Sequence, residues 1–118
     1  METQRDIDPA ALQRVYALGG ALLVRRLLGL VLETAPRRAR EAASCARSGD
    51  LAGTAFAAHA LRSTAGNAGA LRVSSLAGLL EREARAGHAD QALHLADDLE
   101  LAAADMEHSL KELAEAAS

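Results

Sequence analysis

Between Asp90 and Ala116 the apolar positions Ala96, Leu99, Ala103, Met106, Leu110 and Leu113 return at alternating intervals of three and four. Asp97, Asp98, Glu100, Lys111 and Glu112 fall outside that rhythm and form a solvated face. Such spacing keeps one apolar stripe along one side of an α-helix about 40 Å long, and the stripe must be covered over its whole extent. Composition says by what. Half of the residues are hydrophobic, almost all of them Ala and Leu, aromatics make up 2%, and there are two prolines. With few β-branched residues this favours helix over strand, so the fold class is all-α. At 118 residues the chain is predicted to be a single domain over 1–118.

Local punctuation divides the chain. Asp8 is a predicted N-cap with Pro9 at the first helical position, and Leu12, Val15, Tyr16 and Gly19 follow on one stripe of a short helix ending near Gly19 and Gly20. A second helix carries Leu23, Leu27, Leu30, Val31 and Thr34, with Leu22, Val24, Leu28 and Leu32 widening the face expected to be buried. Pro36 is expected to kink or restart it before it runs on to Gly49. Gly49 and Asp50 end one helix and cap the next, whose stripe is Leu51, Thr54, Ala58, Leu61 and Ala65. Gly66, Asn67 and Gly69 are expected to break that helix, after which Val73, Leu76, Ala77, Leu80 and Ala84 mark another that stops near Gly87. Short connections between long helices predict an up-down-up-down antiparallel four-helix bundle with a short additional N-terminal helix.

Several function classes are disfavoured. The net charge of −3 and pI near 5.8 offer no basic surplus for a nucleic acid. The start METQRDIDPA does not resemble a secretory signal, and the single cysteine, Cys45, suits a reducing compartment, so a cytoplasmic location is expected. The apolar window Gly20–Leu32 is short for a membrane span and is split by Arg25 and Arg26, which predicts a buried helix and no membrane partner. The polar exterior of the last helix gives no reason to expect anything but a monomer. There is no GxxxxGK[ST] loop for ATP, and His88, His94 and His108 are too scattered to share a metal.

One stretch, AAHALRSTAGNAGA over residues 57–70, stands apart. Offsets of three, four and seven from His59 reach Arg62, Ser63 and Gly66, which share its side of the helix, whereas Ala58, Leu61 and Ala65 form the core stripe. His59 is therefore expected at the surface with a cation one turn on and no bulk beside it. A plain surface histidine with small residues for helix packing is the bland alternative. Packing glycines, however, belong on the core stripe, and a glycine on the outer face costs about 1 kcal/mol of helix propensity relative to alanine. Cleared ground suits a second macromolecule pressing its own site onto the imidazole. Arg62 disfavours the protonated ring and stabilises charge on a transferring phosphoryl group. Glu81, taken to lie on the polar side of the following helix, is the candidate acceptor that fixes the tautomer, with Arg85 a possible second cation. The other reading of Glu81 and Arg85 is an ordinary i,i+4 surface pair.

The run His59-Ala-Leu-Arg62-Ser63-Thr-Ala-Gly66-Asn67-Ala-Gly69-Ala70, followed by Val73 and by Leu80-Glu81, resembles the signature of the histidine-containing phosphotransfer (HPt) domain, H-x-L-[KR]-[GS]-x-x-x-N-x-G-A-x-x-L…LE. About ten positions match at fixed spacing, and looser similarity covers most of the chain. The resemblance implies a four-helix bundle whose histidine accepts a phosphoryl group from a receiver-domain aspartyl phosphate of a hybrid sensor kinase. The group then passes to an aspartate of a response regulator. It implies His59 as acceptor through Nε2 and Arg62 as the cation of the motif. Ser63 and Gly66 would be the docking platform, with Asn67 and Gly69 ending the helix beside it. Ser63 stands where many members have glycine, and Leu32 where an aromatic is usual. No cofactor of its own is implied, since Mg²⁺ would sit in the partner's acidic pocket. The chain would thus be a phosphocarrier and not an enzyme. The alternative function is a non-catalytic helical adaptor that binds receiver or other signalling domains.

Overall fold

A computed structural model describes residues 7–116. They form four helices, α1 (Pro9–Ser48), α2 (Leu51–Asn67), α3 (Leu71–Arg85) and α4 (Ala89–Ala116). No strand occurs among the described residues, and one isolated bridge joins Ile7 to Ala70. α1 packs on α2 and α4, and α3 closes the ring against the same two helices. The 28 residues of α4 account for the 43 Å long axis of the molecule at about 1.5 Å per residue.

Caps and turns match the punctuation of the sequence. The Asp8 carboxylate accepts from the Ala10 amide at 3.0 Å with Pro9 beside it. Gly49, at φ 80°, closes α1 through the Asp50 amide to the Cys45 carbonyl at 2.9 Å. Asp50 then caps α2, accepting from the Gly53 amide at 2.9 Å, while the buried Thr54 hydroxyl donates to the Asp50 carbonyl. Gly66 and Asn67 do not break α2, which continues to Asn67; the turn comes at Ala68 and at Gly69, φ 76°.

α1 departs most from expectation. Forty helical residues laid straight would span about 60 Å, well beyond the molecule, and the path is interrupted at Gly20 (φ 69°, ψ −162°). Pro36, where a kink or restart was predicted, keeps helical dihedrals and is buried. The fixed φ of proline is itself helical, so α1 continues through it without restarting and forfeits one hydrogen bond.

The buried stripe also differs. Val24, Leu28, Val31, Ala35, Ala39, Ala42 and Ala46 face the core, while Leu23 and Leu30 do not. The buried set continues in small apolar residues along the whole helix; the Leu23–Leu27–Leu30 set runs out into Arg37, Arg38 and Glu41. As a result an 18-residue window of α1 with mean hydropathy 1.7 is only 11% buried, contrary to the expected buried helix. In length and composition it meets the requirement for a membrane span.

The core is completed by Leu61 and Ala65 of α2, Val73, Ala77 and Leu80 of α3, and Leu99, Met106 and Leu110 of α4. Its many alanines leave room for the helices to approach closely. Arg47 ties α1 to α4, reaching Asp97 at 2.6 Å and Glu100 at 2.7 Å.

Candidate functional site

His59 stands mid-way along α2, its side chain 55% exposed, with Ala58 and Leu61 beside it fully buried. The core stripe thus fixes the helix rotation that turns the imidazole outward. Arg62, Ser63, Gly66 and Asn67 are exposed as well. A Cβ on Gly66 would make only ordinary contact with Ser74 Oγ at 3.4 Å, so no bulky neighbour crowds that position.

Across the groove, α3 presents Glu81. Its Oε2 lies 3.0 Å from His59 Nδ1 and accepts from Arg85 Nε at 3.0 Å and Nη2 at 2.9 Å. Oε1 lies 3.7 Å from Arg62 Nε. Glu81 is not on the polar side of its helix, as the sequence suggested, but buried at 8% exposure. Burial alone would raise its pKa; hydrogen bonds from Arg85 and His59 and the nearby charges of His59 and Arg62 outweigh it and hold the carboxyl below its ordinary range. Glu81 is therefore ionised at neutral pH and can only accept, which makes His59 Nδ1 the donor and leaves the lone pair of the neutral ring on Nε2, facing outward.

Arg85, read as a possible second cation, spends two donors on Glu81, yet its side chain remains 61% exposed. Two arginines against one carboxylate leave the surroundings of His59 with a positive balance, which suits an arriving phosphoryl group.

Gly69 does not belong to the exposed platform. It is buried, its carbonyl accepts from the Asp8 amide at 2.7 Å, and a Cβ there would come 2.6 Å from the Asp8 carbonyl oxygen. Its task is to let the N-terminal segment close on the α2–α3 turn.

Two residues at the site were not anticipated. Ser74 Oγ donates to the Arg62 carbonyl at 3.1 Å, tying α3 to α2 one turn past His59. Gly78 lies under Arg62, where a Cβ would come 3.3 Å from Arg62 Cδ, so the absence of a side chain lets the arginine stem lie on α3. A glycine inside the helical pattern of α3 was the available signal for Gly78; nothing in the sequence marks Ser74. Further along, Leu51, Ala55, Phe56, Ala84 and Arg85 line a shallow cleft, with Arg38 over the Phe56 ring at 5.9 Å.

His59 is thus an exposed imidazole held by a buried carboxylate between two arginines, an arrangement that suits an arriving phosphoryl group. The comparisons agree. A model of the Hpt domain family matches residues 26–116, and the chain belongs to that family. The Hpt domain is the histidine phosphotransfer module of phosphorelays, a carrier and not a kinase. No curated protein matches by sequence. Among solved structures the fold is similar to that of histidine-containing phosphotransfer protein B (HptB) from Pseudomonas aeruginosa PAO1, with a TM-score of 0.85 and 21% identity over 93% of this chain and 95% of that one.

Proposed function

We propose that His59 accepts a phosphoryl group from a receiver-domain aspartyl phosphate of a hybrid sensor kinase and hands it to an aspartate of a response regulator. The observation that carries this reading is the Glu81 contact to Nδ1, which in the neutral ring puts the lone pair on Nε2. The Nε2 lone pair attacks phosphorus and the aspartate oxygen leaves with the bonding pair. The ring gains positive charge while its Nδ1 proton stays in place, held by the Glu81 carboxylate. Return transfer reverses each change. Arg62 supplies donors to the phosphoryl oxygens, and Arg85 keeps Glu81 ionised and placed, in addition to its own charge at the rim. Ser63, Gly66 and Asn67 give the partner clearance, and the Mg²⁺ of the reaction belongs to the partner's acidic pocket. The chain needs no cofactor or ATP site of its own, and it acts in the cytoplasm.

The same reading includes an antiparallel up-down-up-down order over a single domain, with residues 9–19 as a separate short helix. Short connections, the closed ring of helix contacts and the Gly20 interruption support it.

Incubation with a phosphorylated receiver domain tests the function. Acid-labile, base-stable label is expected on the native protein and absent from His59→Gln. Binding of the receiver by both proteins with no label on either would favour the non-catalytic adaptor, and equal labelling of both would remove His59 from the reaction.

A further inference from the structure

α1 carries two apolar stripes, and the bundle covers one. Beside it Leu23, Leu27, Leu30 and Thr34 follow at intervals of four, three and four, the spacing of a helix-pairing seam; Leu23 and Leu30 are exposed, while Thr34 is half-buried and Leu27 half-buried against the core. Leu30 is 56% exposed and Leu23 37%, and exposed leucines continue at Leu18 and Leu22. Side chains of this size left in water at regular helical spacing mark a surface made to be covered.

We infer that this seam is the interface of a homodimer, with α1 of a second copy packed antiparallel along it. The charges beside the stripe select this occupant. Arg26 and Glu33 flank it on the side away from the core, seven residues apart, and no ion pair joins either of them to another described residue. The midpoint of the leucine stripe and the midpoint of Arg26 and Glu33 both fall next to Gly29. A twofold axis at Gly29 brings Arg26 of each copy to Glu33 of the other and Leu27 to Leu30, each pair within one residue of exact opposition, so one register serves the apolar and the charged groups together. A twofold axis requires this reciprocity.

An anionic lipid surface fits less well. Glu33 sits among the exposed groups of the same stretch, and α4, which packs beside α1, carries eight carboxylates against Lys111. The dimer leaves the imidazole free, because His59 faces α3 across α2.

Sedimentation equilibrium tests the inference without reference to His59. Concentration-dependent dimerisation with a Kd of about 1–100 μM is expected for the native chain. Leu23→Glu with Leu30→Glu is expected to give a monomer with an unchanged helical circular dichroism spectrum. Glu33→Arg is expected to weaken the dimer about tenfold, and Arg26→Glu combined with Glu33→Arg to restore it. A native monomer at several hundred micromolar would overturn the inference. So would a dimer indifferent to the leucine changes, failure of the charge exchange to restore affinity, or a monomer that instead binds vesicles of anionic phospholipid.

Discussion

Glu81 joins the two helices of the site through one carboxylate. Its pKa is lowered in the folded protein, so its contribution to stability is fully present above the ordinary glutamate value of about 4.3 and is lost as pH falls through the lower folded value. The stability difference between the native protein and Glu81→Gln is therefore expected to shrink below about pH 4, as followed by urea denaturation at a series of pH values. A difference that grew as the pH fell below about 4 would contradict the assignment. The same variant is expected to accept phosphoryl groups more slowly, because a neutral amide supports ring charge less well than a carboxylate. At this scale much was legible. His59, Arg62, Ser63, Gly66 and Asn67 lie on one helix, where local periodicity is enough to place them together. Glu81 was chosen correctly as a partner but placed wrongly, because a carboxylate four residues before an arginine reads as a surface pair. Only its opposition to His59 across the groove explains its burial.

Among the elements, glycines that look alike in the sequence do different work. Gly69→Ala combines positive φ with a collision against the Asp8 carbonyl and is expected to cost about 2–4 kcal/mol in thermal or urea unfolding. Gly66→Ala meets only an ordinary contact inside α2 and is expected to stabilise the fold by up to about 1 kcal/mol. A long side chain there, as in Gly66→Gln, is expected to fold and to slow transfer from a receiver domain measurably; an unchanged rate would remove Gly66 from the docking face. The end of α1 at Gly49, the start of α2 at Asp50 and the stop of α3 near Gly87 followed from local signals, since those act over a few residues. The role of Gly69 did not, because its partner is Asp8, brought there by the whole fold. Pro36 does not restart α1 for a related reason: the penalty is local, but continuity of α1 is decided by the alanine stripe packed on both sides of it.

For the molecule as a whole, the bundle rests on a few large side chains set among alanines. Leu99→Ala, at a fully buried position of α4, is expected to lower stability by about 2–5 kcal/mol, whereas Leu101→Ala on the same helix, 67% exposed, is expected to stay within about 0.5 kcal/mol. Paired denaturation curves would check the contrast. The all-helical class followed from composition and the unbroken rhythm of α4. Which stripe of α1 would be buried did not, because both are apolar and only the neighbouring helices choose between them. The proposed transfer turns on which imidazole nitrogen reacts. Nitrogen-correlated NMR of the histidine rings, recorded before and after phosphorylation, reads this directly. The expected result is phosphorus on Nε2 of His59 with the Nδ1 proton retained and still bonded to Glu81. Phosphorus on Nδ1, or on another residue, would contradict it.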